Sequence, residues 1–135
     1  VFLMKITARV DNAVDKHSVT VQTNDMLRGL DIPAKTAGAG SAVNGGEFLC
    51  LALATCFCND IYREARKRNI SITQVRVEAS AEFAAEGEPA YNIIYRAEIT
   101  GDASDEALAE LIKHTDQVSE IQNTLRAGVK VALMQ

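Results

Sequence analysis

One stretch decides most of what this chain can fold into: NGGEFLCLALATCFCND, residues Asn44 to Asp60. Asn44 is a good helix N-cap, and Glu47 sits three residues on in the capping-box position. The helical pattern runs to Arg68, with Asn69 as a stop. Its first half is apolar on every side, through Phe48, Leu49, Leu51, Leu53, Cys56 and Phe57. A helix that is hydrophobic all round is buried all round. Its second half is polar, with a narrow apolar stripe at Ile61, Tyr62 and Ala65. Arg66, Lys67 and Arg68 fall in the last turn, where cations complement the helix dipole, so they need no nucleic acid to explain them.

The elements around this helix are amphipathic strands. Phe2, Met4, Ile6, Ala8 and Val10 alternate as a first strand, and Ser18 to Thr23 reads as a second, with Asp11 to His17 as a polar turn. NDMLRGLDIPAKTAGAGSAVN follows as an irregular segment rich in Gly, Pro and small residues. Beyond the helix, Val75 to Phe83 and Tyr91 to Ile99 alternate as a hairpin joined through AEGEP. A second helix starts near Ser104 with Leu108, Leu111 and Ile112 as its core stripe, a short helical turn covers Glu120 to Arg126, and Val129, Val131 and Leu133 read as a last strand. The order is β-β-α-β-β-α-β, an α+β fold of antiparallel sheets on helices, and the 135 residues fit one domain, 1–135. One sheet covers one side of a helix, so the apolar half-helix calls for a second copy. An intertwined homodimer, with two such helices packed between sheets, would supply the cover.

Charge and hydropathy exclude some functions. A net charge of −4 argues against a general binder of nucleic acid or anionic membranes, which would need a basic face. The longest apolar run, Phe48 to Cys58, is short of the roughly 20 residues that span a bilayer. VFLMKITARV reads as a strand rather than a signal peptide. A cytoplasmic protein is the expectation.

All three cysteines, Cys50, Cys56 and Cys58, lie on the long helix. Cys56 and Cys58 point about 200° apart on a helix and cannot share one ion, and the two histidines, His17 and His114, are distant in sequence. No metal and no cofactor are expected. Cys50 and Cys56 are separated by about 9 Å of helical rise, beyond disulfide reach. What remains is a single reactive thiol or three small buried hydrophobes. A reactive thiol needs a cation or a helix N-terminus to lower its pKa, and Cys56 lies about three turns into the helix, so a cation would have to come from elsewhere. Arg28 in the long loop and Arg9 on the first strand are the candidates. AGAGSAVNGG has neither nucleotide-binding glycine spacing; it reads as a flexible lead-in to the helix N-terminus, where an anion could bind.

NGGEFLCLALATCFCNDIYREARKRNI resembles the central-helix signature of the OsmC/Ohr superfamily, and ISITQVRVEAS continues it. SEIQNTLRAGVKVAL resembles that family's closing segment, a Cys-Pro turn followed by a strand. The resemblance covers nearly the whole chain. It implies an intertwined homodimer with active sites at the subunit interface, and thiol-dependent reduction of organic hydroperoxides. In such enzymes a helix cysteine becomes a sulfenic acid, a second cysteine condenses with it, and an Arg and a Glu hold the thiolate.

Carried over, Cys56 matches the attacking cysteine and Glu47 the signature Glu. In the hydroperoxide-reductase branch the catalytic Glu lies one residue earlier, at Gly46 here. Ser119 stands where the second cysteine belongs, and Glu120 replaces the Pro. The turn DNAVDKH carries no Arg, where the family often has one. Two functions follow as expectations. One is an oxidative-stress protein reducing hydroperoxides through Cys56, with Glu47 catalytic, Arg28 and Ser119 as binding residues, and an external thiol as the second reactant. The other is a non-catalytic homodimer that binds a small or lipid-like ligand at its interface.

Overall fold

The computed structural model describes residues 3–135; Phe2, counted above in the first strand, lies outside them. The described residues form two compact units, divided between Glu47 and Phe48.

The first unit is an antiparallel sheet of three strands in the order β1 (Ile6–Ala13), β2 (Lys16–Thr23), β3 (Met26–Leu30). Ala13 pairs with Lys16 across the two-residue turn Val14-Asp15. Most of Asp11 to His17, expected as a turn, is therefore strand. The third strand corrects the reading of an irregular segment. Thr23 pairs with Met26, so Asn24-Asp25 is a second two-residue turn, with Asn24 at φ 51°. Asn tolerates that left-handed conformation, and this Asn-Asp pair was the signal for β3 in the sequence. The Gly-rich segment folds back on itself: Lys35 N–H donates to the Gly40 carbonyl at 3.0 Å and Ala42 N–H to the Pro33 carbonyl at 2.9 Å.

The long helix α1 spans Gly45–Lys67. The capping box forms as expected: Glu47 N–H donates to Asn44 Oδ1 at 2.8 Å, and Asn44 N–H to Glu47 Oε1 at 2.9 Å. Asn69, at φ 56°, ends the helix, with Ile70 N–H turned back onto the Ala65 carbonyl at 2.9 Å.

The second unit builds its core on the latter part of α1. Phe57, Ile61 and Ala65 are buried with Leu111 of α2 (Asp105–Val118). They pack on one face of the hairpin β4 (Ile72–Glu82) and β5 (Tyr91–Gly101), through Ile72, Val75, Val77, Tyr95, Ala97 and Ile99. The Phe57 and Tyr95 rings meet at 5.0 Å and 60°, a favoured aromatic geometry. Tyr62, expected in the stripe, is exposed and Phe57 takes its place, since positions 57, 61 and 65 recur every four residues. The outer end of the hairpin is uncovered, with Phe83 and Tyr91 about half exposed.

Ser104 caps α2 by accepting from Ala107 N–H at 3.1 Å. The short turn is a full helix, α3 (Glu120–Ala127), closed by Gly128 at φ 66°. No strand follows it. Val131 and Leu133 are 93% and 85% exposed, because alternation supplies an apolar face but not the neighbouring strand whose hydrogen bonds make a ladder. The apolar half of α1 is likewise not covered all round by the described residues, and Leu51 is 56% exposed. No helix of the described residues is long and apolar enough to cross a membrane.

Candidate functional site at Cys56

The site is assembled from one stripe of α1 and the joint between α2 and α3. At 100° per residue, Cys56, Asp60 and Arg63 fall within about 60° of one another on the helix. The stripe borders the core face, so Asp60 and Glu64 are buried while Cys56 is half-buried. The joint brings Val118, Ser119, Glu120 and Ile121 to the same place.

The Cys56 thiol donates to Asp60 Oδ2 at 3.3 Å, and Glu120 Oε1 lies 3.9 Å from the sulfur. Arg63 ties the carboxylates together: Nη1 reaches Asp60 Oδ1 at 3.1 Å and Glu120 Oε2 at 3.0 Å. Its Nε donates to Glu64 Oε2 at 2.8 Å, and Nη2 to the Val118 carbonyl at 3.2 Å. Glu64 also accepts from Lys67 at 3.0 Å and faces His114 Nε2 at 2.8 Å.

These neighbours set the titration of the site. Burial pushes the Cys56 thiol up to about 11, against the opposing pull of the Ile121 backbone N–H, and the Asp60 and Glu120 carboxylates push it the same way as burial. Burial also raises Asp60, and Glu120 adds to that. Glu120 moves the other way: burial would raise it, but the backbone N–H at the head of α3 and the Arg63 guanidinium hold it below the usual range. Arg63 holds Glu64 at about 2, outweighing its burial, with help from Lys67 and His114. Cys56 is therefore a thiol facing a carboxylate base rather than a preformed thiolate.

The sulfur and the two carboxylates lie within 4.8 Å of one another, close enough to share a divalent cation. Arg63 Nη1 already bridges both carboxylates, so a metal here would have to displace the guanidinium.

The residues expected from the sequence are distributed unevenly. Ser119 is fully buried at the joint, donating to the Thr115 carbonyl at 2.8 Å and lying beside Asp60. The structure thus brings the Ser119 segment to Cys56. Glu47 is engaged in the capping box, and nine residues of helix, roughly 13 Å of rise, separate it from Cys56. Arg28 lies on β3 opposite Val21, and Arg9 on β1 opposite Thr20, both exposed. Cys50 and Cys58 are half-buried free thiols. Sequence reasoning missed Asp60 and Arg63, which it placed only in the polar second half of the helix. The available signal was their i+4 and i+7 spacing from Cys56.

Comparison with known proteins gives the chain relatives. The family model described as OsmC-like protein matches residues 38–134. No curated protein matches the chain. Among solved structures, the chain is similar to the organic hydroperoxide resistance protein OsmC of Legionella pneumophila, at 26% identity over 96% of this chain and 94% of that chain, TM-score 0.59. It is also similar to an OsmC-like protein of Mycoplasma pneumoniae, at 21% identity over 93% of this chain and 88% of that one, TM-score 0.64. An OsmC-like protein of unknown function from Vibrio cholerae shares the fold at 10% identity over 92% of this chain and 94% of that one, TM-score 0.59.

Proposed function

The chain belongs to the OsmC-like family, and on that premise we propose that it reduces organic hydroperoxides through the Cys56 thiol, with Asp60 taking the thiol proton. The observation that carries this is the 3.3 Å hydrogen bond from Cys56 to Asp60 Oδ2, in a half-buried position with Arg63 gripping the far side of the carboxylate. The family and the hydroperoxide-resistance protein of Legionella pneumophila support the reaction class.

The chemistry balances with these groups. Sulfur attacks the terminal oxygen of R–O–O–H, an S–O bond forms and the O–O bond breaks. The thiol proton passes to Asp60, and the departing alkoxide takes up a proton to leave as the alcohol. Cys56 is oxidised to a sulfenic acid and the peroxide is reduced. Asp60 suits proton acceptance because it is within reach of the thiol. Arg63 and Glu120 position it, and Glu120, being exposed, offers the proton a way to solvent. Position 119 holds no second sulfur, so an external thiol condenses with the sulfenic acid and releases water. A second external thiol then frees Cys56 as the external disulfide leaves.

A homodimer is part of the proposal. The exposed Leu51, Val131 and Leu133 are the kind of apolar groups a second copy covers, and they also favour ligand binding at such an interface. A monomeric mass by light scattering at micromolar concentration would count against the dimer. Three free thiols suit a reducing compartment such as the cytoplasm.

The direct test follows cumene hydroperoxide consumption with dithiothreitol and with a monothiol, for wild type and Cys56→Ser. Turnover by wild type, its loss in the variant and one dimedone adduct on Cys56 are expected. The same negligible rate in both proteins with every reductant would end the peroxidase reading.

A further inference from the structure

One buried charge near the thiol takes no part in the proton transfer. Glu64, on α1, is 4% exposed, and its carboxylate collects three partners. Arg63 Nε and Lys67 Nζ donate to Oε2 at 2.8 and 3.0 Å, and His114 Nε2 of α2 faces Oε1 at 2.8 Å. Glu64 is ionised at neutral pH, because Arg63 holds it at about 2. An ionised carboxylate only accepts, so Nε2 of the His114 ring carries a proton. The contact with Arg63 is not one that a helix supplies by itself. Successive helical residues point about 100° apart and do not face each other, so the Arg63 side chain is folded over Glu64 to make it. The consequence lies in the shape of the guanidinium, which is planar and rigid. Glu64 fixes its Nε, and the Val118 carbonyl fixes its Nη2 at 3.2 Å. Two fixed nitrogens of a rigid fork determine where the third points. Nη1 points at Asp60 Oδ1 and Glu120 Oε2, at 3.1 and 3.0 Å. Without Glu64 one of the two anchors is gone, and an Arg side chain that is 33% exposed regains rotamer freedom.

We propose that Glu64 is a positioning residue for the Cys56 site: through Arg63 Nε it holds Nη1 on Asp60 and Glu120, and so keeps Asp60 turned to the thiol and a positive charge beside the two carboxylates that face the sulfur. His114 braces this hold from α2, the helix that leads into the Ser119–Glu120 joint, and Lys67 braces it from the next turn of α1. The part Glu64 plays in turnover rests on the hydroperoxide reading. Its effect on the thiol rests on the geometry alone.

The experiment compares wild type, Glu64→Met and Glu64→Asp in the full chain, each with Arg63 present and with Arg63→Met. It reads the pH midpoint of iodoacetamide alkylation at the Cys56 peptide and the turnover of cumene hydroperoxide. Removal of a carboxylate charge by itself favours the thiolate and lowers the midpoint. Loss of the hold on Arg63 acts the other way, because a positive charge leaves the neighbourhood of the sulfur. Glu64→Met should therefore raise the midpoint, by about half a pH unit. Glu64→Asp keeps the charge but draws it back by one methylene, so it should raise the midpoint as well, and it decides the matter where Glu64→Met does not fold. In the Arg63→Met background the sign should reverse for Glu64→Met, and Glu64→Asp should do nothing. With Arg63 present, kcat should fall about tenfold in Glu64→Met with KM little changed, a modest displacement of the reacting groups, and Arg63→Met should leave no further fall. A midpoint that falls or stays put in Glu64→Asp, or a rise that survives Arg63→Met, would overturn the assignment. A wild type without turnover whose midpoints move as expected would end the peroxidase reading and leave the hold on Arg63 standing.

Discussion

Asp60→Asn separates the two things the carboxylate does to Cys56. The charge 3.3 Å from the sulfur raises the cost of forming a thiolate. In the water-like dielectric suited to a half-exposed site, a unit charge at that distance is worth about 1.3 kcal/mol, or about one pKa unit. The thiol sits at about 11 against an ordinary 9.0, so the carboxylate accounts for up to about half of the rise, and burial for the larger remaining share. Removing the charge lowers the thiol pKa. Iodoacetamide alkylation of Cys56 at pH 7.5, which follows the thiolate fraction, should speed up by about 3- to 10-fold, and the midpoint of its pH profile should fall below the wild-type value. Hydroperoxide reduction should move the other way. Asn cannot take the thiol proton, and loss of a positioned base costs about 100-fold or more. Alkylation faster and peroxidase slower is the expected pair, read by mass spectrometry of the Cys56 peptide and by peroxide consumption. Alkylation unchanged in the variant would refute the electrostatic reasoning, and both rates rising together would refute Asp60 as the base.

Other changes test the surroundings. Glu64, held at about 2 against an ordinary 4.5, contributes stability that is full above pH 4.5 and is lost as pH falls through about 2. Glu64→Gln should therefore destabilise by roughly 1–3 kcal/mol at pH 7, a figure discounted for the exposure of Lys67 and His114, and the difference should shrink towards pH 2 in urea titrations. Ser119→Cys puts a thiol beside Asp60 at the joint, and peroxide treatment should then remove two titratable thiols by an intramolecular disulfide with Cys56. Cys56→Ser in that background should abolish the loss. Gly101→Ala would set a Cβ 2.7 Å from the Ser71 carbonyl oxygen and 2.9 Å from Ile72 Cδ1. The chain must shift there, and thermal unfolding should show a loss of roughly 1–3 kcal/mol.

Local signals carried much of the fold. The capping box at Asn44 and Glu47, the stop at Asn69 and the cap at Ser104 depend on neighbours a few residues apart, and each formed as the sequence implied; the β4–β5 hairpin formed as well, its alternating strands being joined by one short connection. The third strand was legible too, had the Asn24-Asp25 turn been weighed against the glycines that follow. The closing segment behaves otherwise. Val129, Val131 and Leu133 alternate like a strand, but a ladder needs a partner strand that the local sequence cannot supply.

The site divides along the same line. That Cys56 stood out from Cys50 and Cys58 came from a resemblance of motifs, and Ser119 as its counterpart came from the same source. Its electrostatics came only from the tertiary structure. The sequence pointed to a cation at the sulfur, with Arg28 and Arg9 as candidates and Glu47 as the acid. Within the second unit the fold sets carboxylates at the sulfur, because the α2–α3 joint carries Glu120 across to α1 and Arg63 turns its guanidinium to both acids. Glu120 is 64 residues from Cys56 in the chain. Capping is settled by bonds to near neighbours, so the sequence alone determined it. A pKa depends on every charge within a few ångströms and on how much water the fold excludes, and both are set when distant segments pack.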